Sequence, residues 1–72
     1  KINDIQFLPN NLIATASEDN YVKVFNLQRL QIIKQFEHPN FVTSITFSKK
    51  SNSIFSACYD GKIRKFDLSL II

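Results

Sequence analysis

One set of side chains in this chain matches the composition of a hydrolytic triad: Ser56, His38 and Asp60. In such a triad the histidine takes the proton of the serine, and the aspartate orients the histidine. The reaction also needs an exposed serine, an oxyanion hole and a substrate pocket. Ser56 instead lies in an alternating segment beside Ala57, without a Gly-x-Ser-x-Gly turn. We therefore do not expect these residues to act as a catalytic triad, and we predict that the chain is not an enzyme.

Other reactive side chains are scarce. Cys58 is the only cysteine and His38 the only histidine, so the chain by itself forms neither a disulfide nor a tetrahedral zinc site. Gly61 is the only glycine, which excludes a glycine-rich phosphate loop. We expect no cofactor and no metal, and we interpret Cys58 as a small packed residue.

The charge balance is basic, with nine Lys/Arg against six Asp/Glu. The tight basic groups are Lys49-Lys50 and the set Lys62, Arg64 and Lys65. They fit either an anionic partner such as nucleic acid or a solvated turn and strand face. We favour the solvated surface, because no stripe of aromatic residues accompanies the charges.

The length and composition also limit the setting of the chain. No apolar run approaches the roughly 18 residues of a membrane span, so no membrane partner is expected. The scarcity of cysteine favours an intracellular location, cytoplasmic or nuclear. A chain of 72 residues buries a limited fraction of its surface. With no disulfide or metal to support it, we expect a packing partner.

Three segments of the sequence recur about 41 residues downstream, with one extra residue in the loop before Asn52. The matching pairs are Ile2–Phe7 with Val42–Phe47, Ile13–Asp19 with Ile54–Asp60, and Val22–Leu27 with Ile63–Leu68. Each segment is short, alternating and rich in Ile, Val and Phe, which is typical of β-strands. A repeat of about this length favours a repeat architecture.

The residues between these segments predict tight turns. Asp19-Asn20 and Asp60-Gly61 tolerate the positive φ of a hairpin. Pro9–Asn11 and Lys49–Asn52 read as the turns between first and second strands. Leu30–Phe36 reads as a fourth strand after the first copy. Four strands followed by three, without a helix, predict an all-β fold with the layout of propeller blades.

These residues resemble the WD-repeat (β-transducin-like) family over nearly the whole chain. The resemblance rests on the Ile-x-Phe of the first strand, the runs 14–19 and 56–60, the aromatic residue that ends the third strand, and the histidine loop. The Trp-Asp pair of the family is replaced by Phe25-Asn26 and Phe66-Asp67, and its Gly-His by Glu37-His38. Phenylalanine keeps the aromatic bulk but lacks the indole donor.

The resemblance implies two consecutive antiparallel four-stranded blades of a WD-repeat β-propeller. Residues 1–37 would form the first blade, with four strands. Residues 38–72 would form the second blade, with three strands and the fourth missing. The packing partner would then be further blades of one propeller or second copies of the chain.

The resemblance also implies a buried polar network in each blade, made of a loop histidine, a second-strand hydroxyl, a turn aspartate and the third-strand aromatic residue. In the second blade these positions are His38, Ser56, Asp60 and Phe66. In the first blade they are Thr15, Asp19 and Phe25, and the histidine would lie before Lys1.

The function implied by the resemblance is a non-catalytic scaffold that binds proteins or peptides in a multi-subunit complex. The alternative is a subunit of a nucleic-acid-associated complex, ribonucleoprotein or chromatin. The docking rim would present Glu18, Asn20, Phe41, Thr43, Tyr59 and Lys62. Phe41 and Tyr59 are the best anchor candidates, because interface hot spots favour aromatic residues. Ordinary exposure and blade-to-blade packing remain alternative roles for these residues.

Overall fold

The computed structural model describes residues 1–71, and these form seven β-strands and no helix. The strands are β1 Ile2–Leu8, β2 Leu12–Ser17, β3 Tyr21–Asn26, β4 Gln31–Glu37, β5 Val42–Ser48, β6 Ser53–Cys58 and β7 Ile63–Asp67. Both copies of the sequence repeat therefore fold as strands, and the predicted all-β class is confirmed.

The strands form two antiparallel sheets, each in simple chain order. The first sheet has the order β1-β2-β3-β4, and the second has the order β5-β6-β7. The predicted fourth strand of the first copy is observed as β4. Among residues 1–71 the second sheet has three strands, so the two sheets are one four-stranded and one three-stranded blade.

The turns depend on residues that accept positive φ. Asn20 and Gly61, at matching positions after β2 and β6, have φ of 77° and 86°. Both values confirm the hairpins expected at Asp19-Asn20 and Asp60-Gly61. The change in repeat spacing arises at the first turn of each sheet. Three residues separate the partners Leu8 and Leu12, whereas residues 49–52 separate Ser48 and Ser53.

The hydrophobic core lies between the two sheets. Strands β2 and β3 contribute small side chains, with Ala14, Ala16, Val22 and Val24 all fully buried. The second sheet contributes Val42, Ile54 and Leu68, which are also fully buried. Because both sheets are small, the apolar face of each sheet is covered mainly by the other.

Side chains of β1 bond the backbone of β5, although the two strands belong to different sheets. The Asp4 carboxylate accepts a hydrogen bond from the Ile45 amide at 3.0 Å. The Gln6 side-chain oxygen accepts one from the Phe47 amide at 3.1 Å. These bonds satisfy amides on the edge of β5 that no neighbouring strand of its own sheet reaches. Asp4 and Gln6 therefore fix how the sheets sit against each other.

Apolar side chains also remain exposed on the surfaces that the two sheets do not cover for each other. Ile5 and Phe7 on β1 are 47% and 73% exposed, and Ile63 on β7 is 77% exposed. Exposed apolar patches of this kind favour association.

We predict that Asp4→Ala lowers the free energy of unfolding by about 1–2 kcal/mol, because the part-buried Ile45 amide loses its acceptor. Asp4→Asn is the matched control, since its side-chain oxygen still accepts. Urea unfolding followed by circular dichroism measures both variants. An alanine variant as stable as the native chain would show that this bond does not hold the sheets.

We also predict that the chain self-associates as its concentration rises, because burial of the exposed Phe7 and Ile63 side chains between copies is favourable. Phe7→Ser combined with Ile63→Ser should raise the monomer fraction in sedimentation velocity. A native chain that stays monomeric at every concentration would contradict the expectation.

Candidate functional site

His38 lies in the connection between β4 and β5, where it is 2% exposed. Its Nδ1 is 3.0 Å from the Phe36 carbonyl oxygen. Because a carbonyl only accepts, Nδ1 carries the proton and donates. Its Nε2 is 2.8 Å from the Ser56 hydroxyl and therefore accepts from it. Both ring nitrogens are satisfied in the neutral form of the imidazole.

Aromatic rings pack beside this histidine and connect the two sheets. The Phe66 ring lies 5.3 Å from the His38 ring, centroid to centroid. Phe66 also stacks on Phe36 of β4, with centroids 4.3 Å apart and planes 24° from parallel. The cluster of His38, Ser56, Phe36 and Phe66 thus joins the end of the first sheet to the middle of the second.

The pKa of His38 is lowered from its ordinary value, mainly because burial disfavours the charged imidazolium. The charge of Arg64 acts in the same direction. The Phe36 carbonyl and the Asp60 carboxylate oppose the shift but do not overcome it. The ring therefore stays neutral at neutral pH, in agreement with its hydrogen bonds.

The Asp60 carboxylate bonds to Arg64 and the Lys62 amide, and not to His38. Its carboxylate accepts hydrogen bonds from Arg64 at 2.8 and 3.4 Å and from the Lys62 amide at 3.0 Å. The Arg64 guanidinium holds the pKa of Asp60 well below its usual range. The structure thus brings His38, Ser56 and Phe66 together, and it pairs Asp60 with Arg64 across the β6–β7 turn.

The first sheet repeats this turn. Asp19 accepts hydrogen bonds from Lys23 at 2.7 Å and from the Tyr21 amide at 3.0 Å, and Lys23 lowers the pKa of Asp19. Thr15 is buried in β2, and Phe25 is half-buried in β3. Sequence reasoning missed the basic partners of the two aspartates. The available signal was a basic residue four positions after each turn aspartate, 41 residues apart in the two copies.

The geometry does not form the catalytic relay that the residue types suggested. Ser56 is 1% exposed, so a substrate cannot reach its hydroxyl. The Nδ1 of His38 donates to the carbonyl of Phe36, where a triad would place a carboxylate. Asp60 is bound to Arg64 instead.

The predicted rim residues lie in or beside the β2–β3, β4–β5 and β6–β7 turns, at one end of both sheets. We call this end the histidine rim, and its members are Glu18, Asn20, Phe41, Thr43, Tyr59 and Lys62. Phe41 is 42% exposed and Tyr59 is 71% exposed, with ring centroids 6.2 Å apart. We call these two rings the aromatic patch.

The other members of the histidine rim have internal contacts or stay exposed. The Thr43 hydroxyl donates to the Ala57 carbonyl at 3.1 Å. Glu18 pairs with Lys1 at 3.8 Å, and the Asn20 carbonyl accepts from the His38 amide at 2.8 Å. Lys62 is exposed beside the aromatic patch. The two rings, Lys62 and Thr43 are the exposed members of the rim, and Glu18 and Asn20 are half-buried.

Residues 1–71 contain no group of three His, Cys, Asp or Glu side chains placed to hold a metal ion. These residues also contain no helix of the length and apolarity that crossing a membrane requires.

We predict that the free energy of unfolding decreases as the pH is lowered through the range in which His38 titrates. Its folded-state pKa lies below the unfolded value of about 6.5, so the unfolded chain binds the proton first. The contribution of neutral His38 is complete above that value and is lost as the pH falls through the lowered pKa. Urea unfolding between about pH 7.5 and 5, a range that brackets the ordinary pKa of histidine, measures the loss. A His38→Gln variant with the same pH dependence as the native chain would contradict the assignment.

The His38–Ser56 bond should show coupling in a double-mutant cycle. We expect His38→Ala and Ser56→Ala each to destabilise the chain by about 1–3 kcal/mol, because each leaves a buried polar partner unsatisfied. The double variant should lose less than the sum of the two. Strictly additive losses in thermal or urea unfolding would show that the bond carries no energy.

Comparison with known proteins agrees with this geometry. The family model described as "WD domain, G-beta repeat" matches residues 1–26 and 30–67. Over 68 residues the chain is 37% identical to Periodic tryptophan protein 2 of Arabidopsis thaliana. This alignment covers 92% of the chain and 8% of that relative. Over 66 residues it is 34% identical to 2-deoxy-glucose resistant protein 2 of Saccharomyces cerevisiae, covering 90% and 8%. The chain therefore spans only a small part of the relatives it matches.

Two solved structures have the same fold. Sqt1 of Saccharomyces cerevisiae superposes with a TM-score of 0.85 at 19% identity, over 93% of this chain and 17% of that one. The computationally designed Ika4 protein superposes with a TM-score of 0.79 at 22% identity, over 92% and 40%. The repeated strands, the histidine between the sheets and the match of the family model to both copies lead to one conclusion: the chain belongs to the WD-repeat family and consists of consecutive propeller blades.

Proposed function

We propose that the chain is part of a non-catalytic scaffold, which binds proteins or peptides in an intracellular multi-subunit complex. The observation that carries the proposal is the exposed aromatic patch of Phe41 and Tyr59 on the histidine rim. Membership of the WD-repeat family supports it, since WD repeats generally mediate protein–protein interactions. Buried aromatic anchors supply much of the binding energy of protein interfaces.

The aromatic patch is held rigidly before any partner arrives. The Tyr59 amide donates to the Phe41 carbonyl at 2.8 Å, which ties the two residues together through the backbone. The Phe41 amide donates to the Asn40 side chain at 2.7 Å, and the Gly61 amide donates to the Cys58 carbonyl at 3.0 Å. A preorganised surface loses little conformational entropy when it binds.

In this proposal the buried polar residues position the rim. His38 anchors the β4–β5 loop by two hydrogen bonds. Its side chain accepts from the Ser56 hydroxyl, and its backbone amide donates to the Asn20 carbonyl. The Asp60–Arg64 and Asp19–Lys23 pairs brace the two turns beside it. His38, Ser56 and Phe66 would therefore affect binding indirectly, through the placement of the β4–β5 connection and the neighbouring turns.

We predict that Tyr59→Ala and Phe41→Ala each weaken peptide binding about tenfold or more, because each removes an exposed aromatic anchor. A random-peptide phage library selected against the full chain supplies the ligands, and fluorescence anisotropy measures their affinity. The matched control is Ile32→Ala, which removes a 49% exposed apolar side chain from β4, away from the rim.

Two results would overturn the proposal. One is a set of selected peptides that bind the Tyr59→Ala and Phe41→Ala variants as well as the native chain. The other is an equal loss in the Ile32→Ala variant, which would indicate general adhesion to exposed apolar residues. Circular dichroism of each variant checks that the strands remain formed.

A further inference from the structure

Leu30 has a backbone conformation that its residue type disfavours. Among residues 1–71, positive φ occurs at Asn10, Asn11, Asn20, Asn52, Gly61 and Leu30. Asparagine and glycine adopt this region readily, whereas the Cβ of a leucine clashes with the following carbonyl. Leu30 has a φ of 54° and is 78% exposed, so packing within the described residues does not compensate for the strain. A strained residue that is also exposed points to a role outside the fold.

The turn that carries Leu30 is well ordered by hydrogen bonds. The Asn26 side chain accepts from the amides of Gln28 and Arg29 at 2.9 and 3.1 Å. The Leu30 amide donates to the Asn26 carbonyl at 2.7 Å. Arg29 and Leu30 therefore project together from a fixed turn between β3 and β4.

This turn belongs to the end of the sheets that lies opposite the histidine rim. The strand directions place the β1–β2, β3–β4 and β5–β6 turns and the residues after β7 at this end, which we call the opposite rim. Its turns carry Arg29, Lys49 and Lys50, all exposed. Asp67, at the end of β7, accepts from the Ser69 amide at 2.9 Å.

The two rims differ in how their charges are paired. The turns and loop of the histidine rim carry the acidic residues Glu18, Asp19, Glu37 and Asp60. The ion pairs within the described part of the chain join Lys1–Glu18, Lys23–Asp19 and Arg64–Asp60, all at the histidine rim. The three cations of the opposite rim form no ion pair with the described residues. They are therefore available to an anionic partner.

We propose that the opposite rim binds an acidic peptide segment that carries large apolar side chains. Arg29, Lys49 and Lys50 would meet the carboxylates, and Leu30 would contact an apolar side chain of the peptide. This surface is separate from the aromatic patch of the proposed function, so the two proposals stand or fall independently.

The apolar part of the rim favours a peptide over nucleic acid. The exposed apolar side chains of the β3–β4 turn are Leu27 and Leu30, at 39% and 78% exposure. Single-stranded RNA binds proteins through phosphate contacts and through bases stacked on aromatic rings. A leucine offers no stacking face, but it packs well against an apolar side chain of a peptide.

Fluorescence anisotropy with a labelled peptide of alternating glutamate and leucine pairs tests the proposal on the full chain. Lys49→Glu combined with Lys50→Glu should weaken binding at least about tenfold, because attraction becomes repulsion. Leu30→Asn should weaken binding about threefold or more. The same variant should raise the melting temperature by about a few degrees, since asparagine tolerates positive φ. Lys34→Glu, at an exposed lysine in the middle of β4 and outside both rims, is the matched control and should leave the affinity unchanged.

Each contrary result overturns the inference. Absence of peptide binding by the native chain refutes the proposal that the opposite rim binds an acidic peptide. Native affinity in the Leu30→Asn variant refutes the apolar contact, and an equal loss in the Lys34→Glu variant refutes the location. Tighter binding of a uridine oligonucleotide than of the peptide assigns the rim to nucleic acid instead. Circular dichroism of the charge-reversal variant separates a loss of binding from a loss of fold.

Discussion

A buried imidazole needs a partner at each ring nitrogen, and this requirement organises the junction between the two sheets. His38 meets it by donating to Phe36 at the end of the first sheet and accepting from Ser56 in the second. The stacked rings of Phe36 and Phe66 pack beside it. The same residue ties its backbone to Asn20, so that one side chain and one amide connect three segments of the chain.

Around this junction the molecule repeats simple devices at a spacing of 41 residues. Each β2–β3 type hairpin has an aspartate that accepts from an amide two positions later and pairs with a basic residue four positions later. The inner strands are joined by side chains of β1 that bond the backbone of β5. Local bonds thus shape each hairpin, while bonds between the sheets set how the blades stack.

The departures from the family pattern have visible consequences. Phe66 has no indole donor, so its ring contributes packing alone beside His38. Asp60 is drawn to Arg64, because an adjacent guanidinium offers a charge-assisted pair. The second partner of the histidine is the Phe36 carbonyl. At the same end of the sheets, the rings of Phe41 and Tyr59 remain exposed.

The sequence by itself determined the strands, the turns and the repeat, because alternation and turn residues such as Asn20 and Gly61 act locally. It also indicated that Ser56 and His38 would meet, through a resemblance. Only the tertiary structure decided the bonding of Asp4 to β5 and the exposure of the aromatic patch. Those contacts depend on how separate segments approach in space. The tertiary structure also revealed the strained backbone of Leu30, because the φ of a residue is set by the whole turn and not by its residue type.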